Sequence, residues 1–268
     1  GARPKQFMLL EGEPVLARTI NLFAEALPGA QIVVVLPEAY ADFWKNLAAR
    51  FEVAAHTVAQ GGAQRFHSVR NGLAALTGDE ELIAVQDGVR PLGTPDMIRR
   101  VAAAAAEYGA AIPVVRPVDS FREIDMPEIP ETETRDNSGN APEKDRPGGA
   151  ATDFPAAATT ASGPVPSRIL DRRTLRIVQT PQIFRAGLLR RAYDTPFDER
   201  FTDDASVVEH AGHPVFLAEG ERTNLKITTP EDFTLARAIL ETRENIPETD
   251  ESTSEARENS PEKDADDL

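Results

Sequence analysis

Short apolar runs alternate with stretches of helical periodicity along the chain as far as Val118. Apolar runs bounded by turn-forming residues are typical of strands buried in a sheet, whereas apolar residues at helical spacing indicate amphipathic helices. Several of the helical stretches begin with Pro or a hydroxyl side chain, both of which suit the start of a helix. This part of the chain is predicted to form strands at 32–36, 51–58, 82–86 and 111–118, and helices at 14–27, 39–50, 66–76 and 94–106.

The alternation resumes at Arg168 and continues to Leu240. Here the pattern predicts strands at 175–179, 214–218 and 224–227, and helices at 186–193, 202–210 and 229–240. Strands that alternate with helices in this way are typical of an α/β fold with a mainly parallel sheet and helices on both faces. We therefore predict such a fold for the ordered parts of the chain.

Two segments depart from this rhythm. The stretch Glu123–Pro166 holds seven prolines and a single aromatic residue, so it cannot bury enough apolar surface to offset its chain entropy. The stretch after Leu240 is acidic and contains proline, which also favours disorder. We therefore predict one domain over residues 1–240, with a disordered insertion at about 123–167, followed by an acidic disordered tail at 241–268.

The formal net charge of −15 comes almost entirely from these two segments. Residues 123–166 carry a net charge of −6 and residues 241–268 a net charge of −8, so the remainder is nearly neutral. Nucleic-acid binding needs clustered Lys and Arg, and this distribution argues against it. The chain contains no cysteine, which excludes disulfides, thiolate metal sites and a cysteine nucleophile.

The apolar runs are far shorter than a membrane span, and no apolar signal-peptide core follows a basic start. The expected location is therefore the cytoplasm, with no membrane contact. The four histidines lack the spacing of a metal site and are interpreted as structural or surface residues.

Candidate chemistry centres on the strand predicted at 82–86, which ends abruptly in Asp87-Gly-Val-Arg90. In open α/β sheets, ligands bind at the carboxyl ends of the strands. Three other polar features fall at strand ends or helix starts: Lys5, the loop 61–68 with its two glycines, and Lys226. Each alone has an ordinary explanation, as a surface lysine, a turn or a capping residue. Together they supply what is needed to hold a nucleoside triphosphate and a metal ion and to neutralise a phosphoryl transition state.

Eight short motifs are spread over residues 1–240, apart from the insertion, in a characteristic order and spacing. They are Pro4-Lys5-Gln6-Phe7, Gly61-Gly62 with Arg65 and Ser68-Val69, Asp87-Gly88-Val89-Arg90-Pro91, Asp171-Arg172, Thr180-Pro181-Gln182, Thr202-Asp203-Asp204-Ala205-Ser206, Asn224-Leu225-Lys226-Ile227-Thr228, and Pro230-Glu231-Asp232. No single motif is specific, but the combination is. In this respect the chain resembles the 2-C-methyl-D-erythritol 4-phosphate cytidylyltransferase family of the non-mevalonate isoprenoid pathway.

The resemblance implies a Rossmann-like nucleotidyltransferase fold with a dimerisation arm, and a homodimer. It implies transfer of CMP from CTP to 2-C-methyl-D-erythritol 4-phosphate with release of pyrophosphate, assisted by Mg²⁺. By resemblance, Lys5 stabilises charge on the phosphates, and Asp87 holds the metal ion and contacts the ribose. Gly62 and Ser68 correspond to positions that contact the cytosine.

The acceptor side of the site is also implied by the resemblance. Arg172 and Lys226 match catalytic residues that position the sugar phosphate, with Arg172 donated by the arm of the partner subunit. Ser120 stands where the family usually has a threonine that contacts the same substrate, and Arg90 is expected to bind substrate beside Asp87.

The chain also departs from the family pattern. The family has a strand and a glycine-rich loop with a catalytic arginine before the Pro4-Lys5-Gln6 motif, and the strand is expected to be central in the sheet. Without these features we expect the chain as given to be inactive. Gln86 replaces a histidine that often precedes the aspartate, and Ala63 replaces an acid seen in some members.

Two alternatives remain open at this point. A ribitol 5-phosphate cytidylyltransferase would share the nucleotide half of the site. A non-catalytic remnant could keep the fold as a binding or dimerisation module.

Overall fold

The computed structural model describes residues 4–124 and 166–244. These residues form two compact units, the larger from 4–115 and 178–244 and the smaller from 116–124 and 166–177. Most of the predicted insertion and most of the predicted acidic tail lie outside the described residues. Their edges do not: strand continues to Ile124 and restarts at Ser167, and the last helix runs to Glu244. Local strand pairing and helix propagation thus reach the edges of both segments, and the predicted domain boundaries stay predictions.

The helices of the larger unit are α1 (Val15–Ala26), α2 (Glu38–Ala48), α3 (Arg65–Ala74), α4 (Pro95–Tyr108), α5 (Ala186–Ala192), α6 (Asp204–His210) and α7 (Pro230–Glu244), and a short 3-10 helix spans Lys5–Phe7. Their starts follow from local sequence. The Thr94 side chain accepts a hydrogen bond from the Met97 amide at the start of α4, where Pro95 fits the first turn. Asp203 and Ser206 form a reciprocal capping box at the start of α6.

The strands are β1 (Leu9–Leu10), β2 (Glu13–Pro14), β3 (Val33–Leu36), β4 (Thr57–Gln60), β5 (Leu82–Val85), β6 (Ala110–Val115), β7 (Phe121–Ile124), β8 (Ser167–Leu170), β9 (Ile177–Val178), β10 (Gln182–Arg185) and β11 (Phe216–Glu219). In the larger unit, one sheet contains strands in the order β11-β6-β10-β5, and β3 pairs with β4 in a separate parallel pair. In the smaller unit, β7 and β8 form an antiparallel hairpin.

The predicted α/β class is confirmed, with a mixed sheet. β6 and β11 are parallel, but β10 runs antiparallel to both of its neighbours, β5 and β6. Alternate residues of β10 face opposite sides of the sheet, as expected for a strand. Ile183 packs in a core with α1 and α4, while Phe184 packs in a core with α3, α5 and α6. Helices therefore cover both faces of this sheet.

Three predicted strands differ from the structure. Only the end of the 51–58 stretch is strand, because the Val53 amide donates to the Phe51 carbonyl and the Ala54 amide donates to the Asn21 side chain. Residues 224–227 form no strand. The Ile227 amide donates a backbone hydrogen bond to the Val89 carbonyl in the segment beside it. β5 was expected to be buried on both faces, yet only one of its four residues is fully buried, because a cavity lies along one of its edges.

Candidate active site

The carboxylate of Asp87 lies between two cations at the carboxyl end of β5. Its Oδ2 atom is 3.2 Å from Arg90 Nε and 3.2 Å from Lys226 Nζ. The Asp87 and Arg90 side chains are 17% and 12% exposed, whereas Lys226 is 47% exposed and can reach a ligand in solvent. The structure thus brings together three residues that were predicted to share a site, and the cluster has one more positive than negative charge.

Backbone hydrogen bonds fix the position of these three side chains. The Asp87 amide donates to Thr180 Oγ1 at 3.1 Å, and the Arg90 amide donates to the Asp87 carbonyl, which closes a tight turn. Arg90 Nη1 donates to the Asn224 carbonyl at 2.9 Å. This bond holds the segment that carries Lys226 against the turn that carries Asp87.

Two buried amide side chains support this arrangement and were not predicted as site residues. Asn224 is fully buried, and its Nδ2 atom donates to the Thr180 carbonyl at 2.9 Å. Gln179 Nε2 donates to the Glu221 carbonyl at 2.8 Å. Buried polar groups need such partners, and both amides therefore order the loops around Asp87. Asn224 lies in a motif recognised in the sequence and Gln179 ends a predicted strand, but pattern alone gives a buried amide no role.

The glycine loop is folded onto the first turn of α3. The Gly62 amide donates to Ser68 Oγ at 3.0 Å, and the Ser68 hydroxyl donates to the Gln64 carbonyl. A Cβ atom at Gly62 would lie 2.3 Å from the Cβ of His67, so only glycine fits there. Gly62 and Ser68, both predicted to contact the base, are therefore neighbours in the structure.

An ion pair that was not predicted anchors the same loop. Arg65, the first residue of α3, donates to both carboxylate oxygens of Asp204 at 3.0 and 2.5 Å. Asp204 is fully buried and also accepts a hydrogen bond from the Tyr193 hydroxyl at 2.6 Å. Burial opposes the charge of Arg65, but the hydrogen bond and charge of Asp204, with smaller contributions from Tyr193 and Asp87, raise its pKa. Burial, followed by the charge of Asp204, raises the pKa of Tyr193.

The other predicted site residues are not in these clusters. Lys5 is exposed in the 3-10 helix, and its ammonium group has no ion-pair partner among residues 4–124 and 166–244. Ser120 and Arg172 belong to the smaller unit, where Arg172 Nη1 donates to the Val118 carbonyl. Their predicted contacts with substrate therefore stay predictions.

Among the described residues, no cluster of three or more His, Cys, Asp or Glu side chains is placed to hold a metal ion. In the same ranges, no helix has both the length and the apolar character needed to cross a membrane.

Comparison with known proteins identifies the family. The family model described as "IspD: 2-C-methyl-D-erythritol 4-phosphate cytidylyltransferase" matches residues 1–141 and 151–242. The enzyme of that name from Bacteroides fragilis is 39% identical over 239 residues, with 88% of this chain and 91% of the relative covered. The one from Bacteroides thetaiotaomicron is 40% identical over 238 residues, with the same coverage.

A solved structure supports the same conclusion. The crystal structure of 2-C-methyl-D-erythritol 4-phosphate cytidylyltransferase from Thermus thermophilus has a TM-score of 0.61 and is 30% identical. The match covers 89% of this chain and 94% of that chain. The Asp87 cluster and the glycine loop thus stand in a chain whose sequence and fold both match one group of nucleotidyltransferases. This chain belongs to the 2-C-methyl-D-erythritol 4-phosphate cytidylyltransferase family.

Proposed function

We propose that this chain transfers the cytidylyl group of CTP to 2-C-methyl-D-erythritol 4-phosphate and releases pyrophosphate. The observation that carries the proposal is the Asp87 carboxylate between Arg90 and Lys226 at the end of β5. A triphosphate and a phosphomonoester repel each other, so the reaction needs cations that screen both while holding them in line. No side-chain nucleophile is required, because the phosphate of the acceptor attacks the α-phosphorus.

Lys226 and Arg90 are suited to the phosphates of the two substrates. In the structure both cations pair with the single carboxylate of Asp87, and incoming phosphate oxygens would compete for them. Lys226 is half-exposed and carries a point charge on a flexible stem, so it can follow a phosphate group as charge develops. Lys5, on the exposed 3-10 helix, would add charge at the triphosphate.

Asp87 would hold Mg²⁺ once the Arg90 and Lys226 side chains bind the substrate phosphates instead of the Asp87 carboxylate. Mg²⁺ in nucleotide sites is usually bound by one or two carboxylates, with phosphate oxygens and water completing the octahedron. A single carboxylate at an open strand end fits that pattern, and three protein carboxylates are not required. When bound, the ion would neutralise charge on the phosphates. Asp87 remains suited to contact the ribose as well.

The glycine loop would hold the cytosine. Gly62 lets the loop pack directly against His67, and Ser68 fixes the loop through the Gly62 amide. Ser120 and Arg172, on the smaller unit, would position the sugar phosphate, with Arg172 supplied by the second subunit of a homodimer. A cytoplasmic location is part of the same proposal.

The two alternatives differ in support. Ribitol 5-phosphate as acceptor is not favoured, because the relatives found carry the name of the methylerythritol enzyme. The non-catalytic remnant predicts no nucleotide binding, although the charged residues of the Asp87 cluster are all retained.

Calorimetry with CTP and Mg²⁺ tests the nucleotide half of the proposal. We expect the chain to bind CTP, and we expect Lys5→Met to weaken binding roughly tenfold, which corresponds to about 1.4 kcal/mol. Lys45→Met, which removes an exposed lysine from α2, is the matched control and should leave binding unchanged. Absence of any heat with the unmodified chain would support the remnant and contradict the proposal.

Pyrophosphate release then tests the acceptor. We expect any release to require 2-C-methyl-D-erythritol 4-phosphate and to be absent with ribitol 5-phosphate; release by the chain as given would contradict the inactivity expected from its sequence. Release with ribitol 5-phosphate alone would overturn the proposed acceptor.

A further inference from the structure

Helix α7 packs against both segments that carry the cations of the Asp87 cluster. These are the turn segment, residues 87–92, and the loop segment, residues 221–227. Leu92 and Ile227, the last residue of each segment, are fully buried in one apolar core with Phe233 of α7. Side chains in a close-packed core keep fixed positions, so α7 holds one end of each segment.

A polar contact from the last turn of α7 joins the same two segments. Arg243 Nη2 donates to the Leu92 carbonyl at 2.7 Å and to the Thr223 hydroxyl oxygen at 3.0 Å. One nitrogen thus uses both of its hydrogens to bridge the turn segment and the loop segment. Hydrogen bonds from a charged donor are stronger than those between neutral groups, so this bridge is a firm link between the two segments.

The bridge lies close in sequence to each cation. Leu92 is two residues after Arg90, and Thr223 is three residues before Lys226. A change in the separation of Leu92 and Thr223 would therefore move the two cations relative to each other.

The two segments also contact each other directly. Arg90 Nη1 donates to the Asn224 carbonyl at 2.9 Å, and the Ile227 amide donates to the Val89 carbonyl at 2.9 Å. Both hydrogen bonds need the segments to lie at one separation, because hydrogen bonds weaken as their distance and angle depart from the ideal. The bridge from Arg243 sets that separation from outside the cluster.

We propose that Arg243 is a positioning residue for the acceptor phosphate. It acts through the Leu92 carbonyl and the Thr223 hydroxyl. In this way it holds Arg90 and Lys226 at the separation in which both reach one carboxylate. Without the bridge, the loop segment would move away from the turn segment, and the two cations would fit a phosphomonoester less well.

The inference rests on the proposed function only where it assigns these two cations to the acceptor. CTP would be held by Lys5 and the glycine loop, which the bridge does not contact. Loss of the bridge should therefore affect one substrate and not the other, whereas a general loss of stability would not distinguish them.

Four variants of the full chain separate the bridge from other effects. Arg243→Met removes both hydrogen bonds and keeps an unbranched side chain. Thr223→Val removes one acceptor without changing the charge of the protein, whereas Thr223→Ser keeps the hydroxyl. Arg237→Met removes an arginine from the same helix, where it pairs with Glu11 at 3.3 Å. Thr223→Ser and Arg237→Met are the controls.

The first readout is amide hydrogen exchange followed by NMR, which needs no ligand. We expect Arg243→Met to speed exchange of the Ile227 amide roughly tenfold, and Thr223→Val to speed it by a smaller factor. The Arg185 amide, which donates to the Gly109 carbonyl at 2.8 Å in the sheet, is the internal reference and should not change. Unchanged exchange at Ile227 in both variants would overturn the proposal. Equal acceleration at both amides would do the same, because the whole unit would then be less stable.

The second readout is the binding of each substrate, measured by calorimetry. We expect Arg243→Met to weaken binding of 2-C-methyl-D-erythritol 4-phosphate roughly tenfold and to leave binding of CTP with Mg²⁺ unchanged. Both controls should match the unmodified chain. Equal weakening for the two substrates, or faster exchange at Ile227 without weaker acceptor binding, would overturn the positioning role. If the unmodified chain bound no acceptor, the proposed function would fail, and the exchange result would still decide whether Arg243 holds the two segments together.

Discussion

Two adjacent glycines in the glycine loop, Gly61 and Gly62, differ sharply in the room around them. A Cβ atom at Gly62 would lie 2.3 Å from the Cβ of His67 and 2.9 Å from its carbonyl carbon. A Cβ atom at Gly61 would make ordinary contacts of 3.4 Å with the Leu36 backbone. The sequence motif shows both residues as equivalent, and only the structure separates them.

We therefore expect Gly62→Ala to push the loop away from Ser68 and to weaken CTP binding roughly tenfold, within the range that overpacking produces. Gly61→Ala is the matched control and should change the dissociation constant less than about twofold. Calorimetry with CTP measures both. Equal effects of the two substitutions would show that the loop does not depend on this contact.

At the scale of elements, the Arg65–Asp204 pair ties the first residue of α3 to the first residue of α6. The Asp204 carboxylate is fully buried, so its charge depends on Arg65 and the Tyr193 hydroxyl. Removal of one partner of a buried pair leaves an uncompensated charge, whereas replacement of both partners is much less harmful. Loss of Arg65 alone is therefore expected to lower the free energy of unfolding more than loss of one partner of an exposed ion pair.

Arg65→Met should lower the free energy of unfolding by about 3 kcal/mol. Adding Asp204→Asn to that variant should restore part of the loss, because the buried charge is then gone. Arg200→Met, which breaks the exposed ion pair with Asp198, is the control. It should lower the free energy of unfolding by less than about 1 kcal/mol. Urea unfolding measures all three. A double variant no more stable than Arg65→Met would contradict the role assigned to the charge.

For the whole molecule, the sequence predicted what depends on local order. Helices α1 to α4 and strand β5 follow from hydrophobic period and capping residues that lie within a few positions of one another. The antiparallel placement of β10 between β5 and β6 could not be predicted in this way, because strand order depends on contacts that are remote in sequence. The stretch 51–58 shows the limit of pattern, since Phe51, Val53 and Ala54 pack against the core without a strand partner.

The residues of the candidate site also differ in how far the sequence could predict them. Asp87 and Lys226 were predicted from a strand end and from family motifs, and the structure brings them together. The Arg65–Asp204 pair spans 139 residues, and nothing in the local pattern of either residue indicates the other. Thr180 and Asn224 stand beside other polar residues in the sequence, and only their burial and hydrogen bonds show that they hold the turn at Asp87.

The hydrogen bond from Arg90 to the Asn224 carbonyl joins segments 134 residues apart, and this separation has a consequence for the order of folding. Contacts between distant segments form only after a long loop has closed, so they come later than helices and local turns. We expect CTP binding to recover after the helical circular dichroism signal when the chain is diluted from urea. Simultaneous recovery of both signals would contradict this order. A molecule that captures nucleotide has, on this account, already completed the assembly of its larger unit.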